Sequence, residues 1–244
     1  MRGRIALAAV LCLAAGLIVG IGALPASAGA NPTCDPEFTG TSGDDVIVGD
    51  GYDNHICGRA GNDKLFGLEG EDVLEGQDGN DQLFAGDDYD YDYLWGGRGR
   101  DRLVPGWDYN ELNGGPGHDV ADYSIGTEGC NVQAYLWDAY IDKCDGYYYD
   151  SIVFANDLST VENVTGTPWE DYFEGDVQAN RLVGGASGDE AHGRGGEDSL
   201  YGQLGDDLLL GEGGNDYLNG GDQSTVGDVC FGGAGTNTIV NCFP

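Results

Sequence analysis

The sequence predicts an all-β protein whose short strands stack, coil upon coil, into two parallel sheets. Three observations predict it. A period of nine runs through most of the 244 residues. Glycine recurs at the first and fourth places of the unit, and an acidic residue at the sixth. An aliphatic residue follows two places after the acid. The pattern is clearest from Gly58 to Phe84, which divides into GRAGNDKLF, GLEGEDVLE and GQDGNDQLF.

Each part of the unit has a physical reason. Early glycines let the backbone turn through conformations that other residues resist. The last three places, x-aliphatic-x, make a short strand with one side chain inward. Two units complete one coil, and stacked coils enclose a thin aliphatic core. One aliphatic side chain per unit is a small gain against the entropy of ordering a glycine-rich chain. A ligand has to supply the difference.

Composition names the kind of ligand. There are 43 acidic residues against 10 basic ones, for a net charge of -33. Nucleic acid and anionic membrane both need Lys and Arg to neutralise phosphate, so neither is the expected partner. A compact chain with this much like charge repels itself. Cations are therefore the partner expected before any motif is read.

In chain order, residues 1–28 read as a secretory signal peptide. Arg2 and Arg4 precede a long apolar run, and Ala26-Ser27-Ala28 fits an A-x-A cleavage site. The run is long enough to raise a transmembrane anchor, but Pro25 and the small residues after it favour cleavage. Setting Cys12 aside leaves Cys34, Cys57, Cys130, Cys144, Cys230 and Cys242 in the exported chain. An even number in an oxidising compartment suggests disulfides. Many connectivities are open; proximity in sequence favours Cys34–Cys57, Cys130–Cys144 and Cys230–Cys242. A metal-thiolate site is the rival, but no C-x-x-C spacing exists.

Residues 29–123 read as an N-terminal cap and a first repeat array. From Gly40 the sixth place reads Asp45, Asn54, Asp63, Asp72, Asp81, then Asp90 or Asp92, Asp101, Asn110 and Asp119. The ambiguity comes from an eleven-residue unit, AGDDYDYDYLW. From 124 to 165 the period lapses into a non-repeat insertion, where NVQAYLW alternates like a strand. Residues 166–244 resume as GTPWEDYFE, GDVQANRLV, GGASGDEAH, GRGGEDSLY, GQLGDDLLL and GEGGNDYLN, followed by a C-terminal cap.

Calcium fits the unit. It is a hard cation that takes six to eight oxygens from carboxylates and carbonyls in flexible geometry. Magnesium demands stricter geometry, and zinc prefers His or Cys. His55, His118 and His192 are scattered and read as ordinary turn or strand residues. Asp88-x-Asp90-x-Asp92 starts like an EF-hand loop, but Tyr93 stands where that loop needs Gly. No H-E-x-x-H, G-x-S-x-G or phosphate-loop lysine occurs.

The units GRAGNDKLF, GLEGEDVLE, GQDGNDQLF, GGRGRDRLV, GQLGDDLLL and GEGGNDYLN resemble the RTX (repeats-in-toxin) calcium-binding nonapeptide family. The resemblance covers nearly all of residues 40–240. It implies a right-handed parallel β-roll, interrupted near residues 124–165, with calcium held between successive turns on one side. On that geometry Asp45, Asp63, Asp81, Asp101 and Asp119 share one stack. Asn54, Asp72, Asp90 or Asp92, and Asn110 share the other. In the second array the stacks are Asp171, Asp189, Asp207, Asp228 and Asn180, Asp198, Asp216, Asn237. The all-carboxylate stacks are expected to hold calcium more tightly, since Asn brings an oxygen without charge. Ser187 and Ala191 replace the expected Gly and aliphatic residue, which leaves their coil in doubt.

The functional expectation is a secreted, non-catalytic protein that folds on binding several Ca2+ ions. The family's arrays usually accompany a separate toxin, protease or lipase domain, whereas here repeats fill the expected mature chain. Its export route commonly uses a C-terminal signal, whereas this chain carries an N-terminal leader and cysteines, which suggest Sec-type export. The alternatives are an extracellular polysaccharide-acting lyase or hydrolase on a calcium-dependent parallel β fold, and a surface or matrix adhesion protein. A protein or polysaccharide partner is not named by the sequence.

Overall fold

In the computed structural model the described residues are 17–19, 34–87, 90–106, 110–125, 132–135, 140–143, 148–152, 161–221 and 227–243. They form two sheets, each of eleven strands. The first sheet runs from Leu17–Val19 through Val46–Val48, Lys64–Phe66, Gln82–Phe84, Arg102–Val104, Val120–Asp122, Asn163–Thr165, Arg181–Gly185, Ser199–Gln203 and Tyr217–Gly221 to Thr238–Val240. The rungs from Val46 to Val240 are all parallel, as expected for a β-roll.

Successive nonapeptides supply rungs to alternate sheets. Within each array a rung therefore pairs with the rung two units on, as Leu65 does with Leu83 and Ile56 with Leu74. The eighth-place side chain points inward and its two neighbours point out. Ile47, Leu65, Leu83 and Leu103 from the first sheet meet Ile56, Leu74, Leu94 and Leu112 from the second, all with no exposure. The eleven-residue unit keeps this register, since Leu74 pairs with Leu94 and its extra residues fall in the turn. The coil with Ser187 and Ala191 is also intact. Glu190–His192 pairs on both sides, and Ala191 is buried.

Residues 132–135, 140–143 and 148–152 form an antiparallel meander within the second sheet. Its ends join the roll in parallel, Ser151–Ile152 beside Glu111–Leu112 and Gln133–Tyr135 beside Tyr172–Glu174. The first sheet has no such interruption. There Asn163–Thr165 is an ordinary rung between Val120–Asp122 and Arg181–Val183. The sequence reading leaves these residues in the insertion because DLSTVENVT lacks glycine. The unit still has an acid at its sixth place and Val164 at its eighth, and those two positions carry the register.

The glycines divide by role. Gly61, Gly70, Gly79 and Gly99, all fourth in their units, have φ between 109° and 155°, which other residues resist. The second place is left-handed in many units too: Gly97, Gly115, Gly185 and Gly221 fill it in some, and Arg59, Leu68, Gln77, Arg194, Gln203 and Glu212, with φ from 65° to 89°, in others.

The two ends differ. Cys34–Cys57 ties a loop over the first coil, where Phe38 is buried. Cys230–Cys242 ties the last coil, yet Ile239 and Phe231 remain 45% and 59% exposed. The Cys130–Cys144 pairing lies outside the described residues.

Candidate functional site

Each turn carries its sixth-place side chain back into the roll. Asp45, Asp63, Asp72, Asp81, Asp101, Asp119, Asp171, Asp189, Asp198, Asp207 and Asp216 are all at most 4% exposed. They stand in two columns, one along each edge of the roll. Within a column the backbone N–H of each member donates to the side chain one coil on. Asp45 donates to Asp63, Asp63 to Asp81, Asp81 to Asp101 and Asp101 to Asp119, at 2.7–2.8 Å. The other column runs from Asn54 to Asp72, then Asp92, then Asn110. Asp92 is thus the column member, and Asp90 lies in the bulged turn.

The insertion does not break the first column. Asp119 N–H donates to Glu162 Oε2 at 2.7 Å, and Asn180 Nδ2 reaches Glu162 O at 2.9 Å. Asn180 leads on to Asp198, Asp216 and Asn237. The second-array column of Asp171, Asp189, Asp207 and Asp228 stands on the other edge. Sequence reasoning missed Glu162. Counting back nine from Gly166 reaches its unit and places it sixth.

One carboxylate oxygen makes the ladder bond and the other does not. Oδ2 of Asp63, Asp81, Asp101, Asp119, Asp189, Asp198 and Asp216 is buried and accepts no hydrogen bond. Such an atom in a native interior needs an explanation. Its surroundings supply one. A Cβ placed on Gly58 would lie 2.3 Å from Asp63 Oδ2 and 2.9 Å from the carbonyl oxygen of Gly76. On Gly76 it would lie 2.4 Å from Asp81 Oδ2 and 2.5 Å from Gly96 O. On Gly193 the distances are 2.4 Å to Asp198 Oδ2 and 2.9 Å to Gly211 O. The first-place glycines are therefore needed for space, and their φ is ordinary. The hollow they leave brings a carboxylate and a carbonyl oxygen from successive coils together, which suits a hard cation.

Burial leaves its mark on these acids. Loss of hydration pushes Asp81 and Asp198 up to about 7, Asp101 to about 6, Asp119 to about 8 and Asp189 to about 9. The ladder N–H bond opposes the shift without cancelling it, and neighbouring carboxylates add to it for Asp81, Asp119, Asp189 and Asp198. Ionising them together requires positive charge nearby.

The asparagines need none. Asn54 Nδ2 donates to Asp50, Asn110 Nδ2 to Pro105 O, Asn180 Nδ2 to Glu162 O and Asn237 Nδ2 to Gly233 O. All four stand where a column begins, ends or crosses the insertion. There each amide satisfies itself locally.

The all-aspartate runs also have longer rungs. His55–Ala60, Val73–Asp78 and Asp92–Arg98 run on into the turns of Asp63, Asp81 and Asp101. In the second array the long rungs switch sheets. Arg181–Gly185 and Ser199–Gln203 lead into the turns of Asp189 and Asp207. Extra pairing thus firms the turns richest in carboxylate.

A family model described as the RTX calcium-binding nonapeptide repeat (four copies) matches residues 39–74, 58–92, 91–112, 174–209 and 192–226. No curated protein matches the chain.

Proposed function

The chain belongs to the RTX calcium-binding nonapeptide repeat family, and from that premise we propose that it is a secreted protein whose roll orders when several Ca2+ ions bind. The observation that carries this is the set of buried, unbonded Oδ2 atoms beside carbonyl oxygens of the next coil. Asp63, Asp81, Asp101, Asp119 and Asp189 would hold the metal, with Asp72, Asp198, Asp207 and Asp216 in equivalent places. Asp45 and Asp171 each open an array and already receive a threonine N–H at the second oxygen, from Thr41 and Thr167, so they serve as weaker partners.

Calcium would supply positive charge among buried acids and so favour their ionised form. The chain's own residues do the rest. The ladder fixes one oxygen of each carboxylate, the first-place glycine leaves room, and the aliphatic row excludes water. Where the metal is scarce, carboxylate repulsion loosens the chain; where it is abundant, binding free energy becomes folding free energy. The apolar leader and the disulfides at both ends support export to an oxidising compartment. The role proposed is binding rather than catalysis, because the acids stand in repeating columns instead of converging on one cleft.

The test is circular dichroism of the mature chain during calcium titration, reversed with a chelator. The expected result is cooperative gain of β-structure that the chelator undoes. A chain fully β-structured without calcium would sink the proposal.

A further inference from the structure

A second and chemically different cluster of metal-ligating side chains is built into the N-terminal cap. Cys34, His55, Cys57 and Glu75 bring one ligand atom each to within 4.8 Å of one another. Local structure places all four. His55 and Cys57 are two residues apart on one strand, so they share a face of the second sheet. Glu75 is the register partner of Cys57 on the next rung. The loop bearing Cys34 is pinned beside them, with Asp35 N–H donating to His55 O at 2.8 Å and His55 N–H to Asp35 Oδ2 at 2.9 Å.

The cluster is poised beyond what a structural staple needs. Cys57 has no exposure. His55 Nε2 lies 2.8 Å from Glu75 Oε1, while His55 Nδ1 is buried and makes no hydrogen bond. Two sulfurs, an imidazole and a carboxylate are a four-donor set for zinc, which favours tetrahedral nitrogen and sulfur coordination. The aspartate columns offer oxygen alone, so the two kinds of site discriminate between soft and hard cations.

We propose that this cluster is a redox-gated zinc site. While Cys34 and Cys57 are joined, neither sulfur is a thiolate. A dithiol reductant opens the bond, passes two electrons and two protons to the protein sulfurs, and becomes a disulfide itself. Zn2+ then displaces one proton from each thiol and binds both thiolates, His55 as neutral imidazole, and Glu75. The sulfurs move apart to accommodate two Zn–S bonds of about 2.3 Å. Cys34 makes that movement, because it lies on the loop rather than in a strand. The metal then holds the cap in place of the covalent bond.

The experiment uses the full mature chain in saturating calcium. It is reduced with a dithiol, desalted without oxygen and titrated with Co2+. The expected result is one equivalent of Co2+ with sulfur-to-metal charge transfer and intense tetrahedral d–d bands, displaced by one equivalent of Zn2+. The unreduced protein gives neither band. His55→Asn and Glu75→Gln each weaken binding by at least about 10-fold, a loss that displaced supporting ligands already produce. The double variant Cys230→Ser, Cys242→Ser leaves the signal unchanged. Circular dichroism of each unreduced variant checks that it folds. A reduced protein with no such bands overturns the proposal. So does a signal that survives His55→Asn and disappears with the Cys230/Cys242 variant.

Discussion

Asp119 and Glu162 are 43 residues apart in sequence and adjacent in one column, joined by a 2.7 Å bond from the Asp119 N–H to Glu162 Oε2. This contact carries the aspartate ladder past the insertion. In Glu162→Ala the Asp119 N–H loses its acceptor, at a cost of about 1–3 kcal/mol. Because each coil touches only its neighbours, the two arrays should then unfold in separate steps. Urea unfolding in calcium, followed by circular dichroism, should show one transition in the parent and two in the variant. Glu162→Gln keeps an acceptor oxygen and should retain the single transition.

The asparagines predict the effect of Asp81→Asn. The new amide can donate where Asp81 Oδ2 now accepts no bond, and one buried negative charge disappears. Calcium stoichiometry by calorimetry should fall, while the metal-free chain should gain β-structure at neutral pH. A variant with unchanged stoichiometry and unchanged metal-free spectrum would count against the column as the binding site.

Protonation gives a dependence of the opposite sign from ordinary acid denaturation. Asp81, Asp101, Asp119, Asp189 and Asp198 have folded pKa values raised to between about 6 and about 9. The folded state therefore holds more protons than the unfolded state above the ordinary carboxylate pKa. Their contribution is fully present below about 3.8, the unfolded value, and is lost as pH rises through the folded values. Metal-free protein should thus hold more β-structure at pH 5 than at pH 8, read by circular dichroism. Saturating calcium, which favours the ionised form, should reduce or reverse that difference.

First- and fourth-place glycines should respond to alanine for different reasons. In Gly58→Ala the new Cβ meets Asp63 Oδ2 and Gly76 O without straining φ. A loss of about 1–3 kcal/mol is expected, together with a calcium site. In Gly61→Ala the backbone at φ 122° is itself strained, and the Cβ meets Gly43. Gly43→Ala is the control, since only Thr41 Oγ1 lies near, at 4.0 Å. Thermal scans with and without calcium separate the three.

Much of this was legible in the sequence because a solenoid turns linear period into spatial contact. Asp63 and Asp81 are 18 residues apart and therefore stack, and Leu65 pairs with Leu83 for the same reason. Three features escaped it. Glu162 was hidden because its unit lost its glycines, the feature the eye follows first, while keeping the acid and aliphatic places that set register. Asp92 could not be told from Asp90 until strand pairing fixed where the extra residues bulge. The His55 cluster depends on a loop folded back over the first coil, and no repeat period encodes that contact.

Seven side chains occupy left-handed positions that the repeat gives to glycine in other units: Arg59, Leu68, Gln77, Ser187, Arg194, Gln203 and Glu212. Each costs about 1–2 kcal/mol in backbone strain. If calcium binding orders the chain as proposed, they act collectively as a set point, because every increment of strain then has to be matched by more bound metal. Restoring glycine at Gln77 should lower the ordering midpoint in calcium, by up to about tenfold if one coil limits the transition. On that reading, a chain with glycine at all seven places should order at a lower calcium concentration than any single glycine variant.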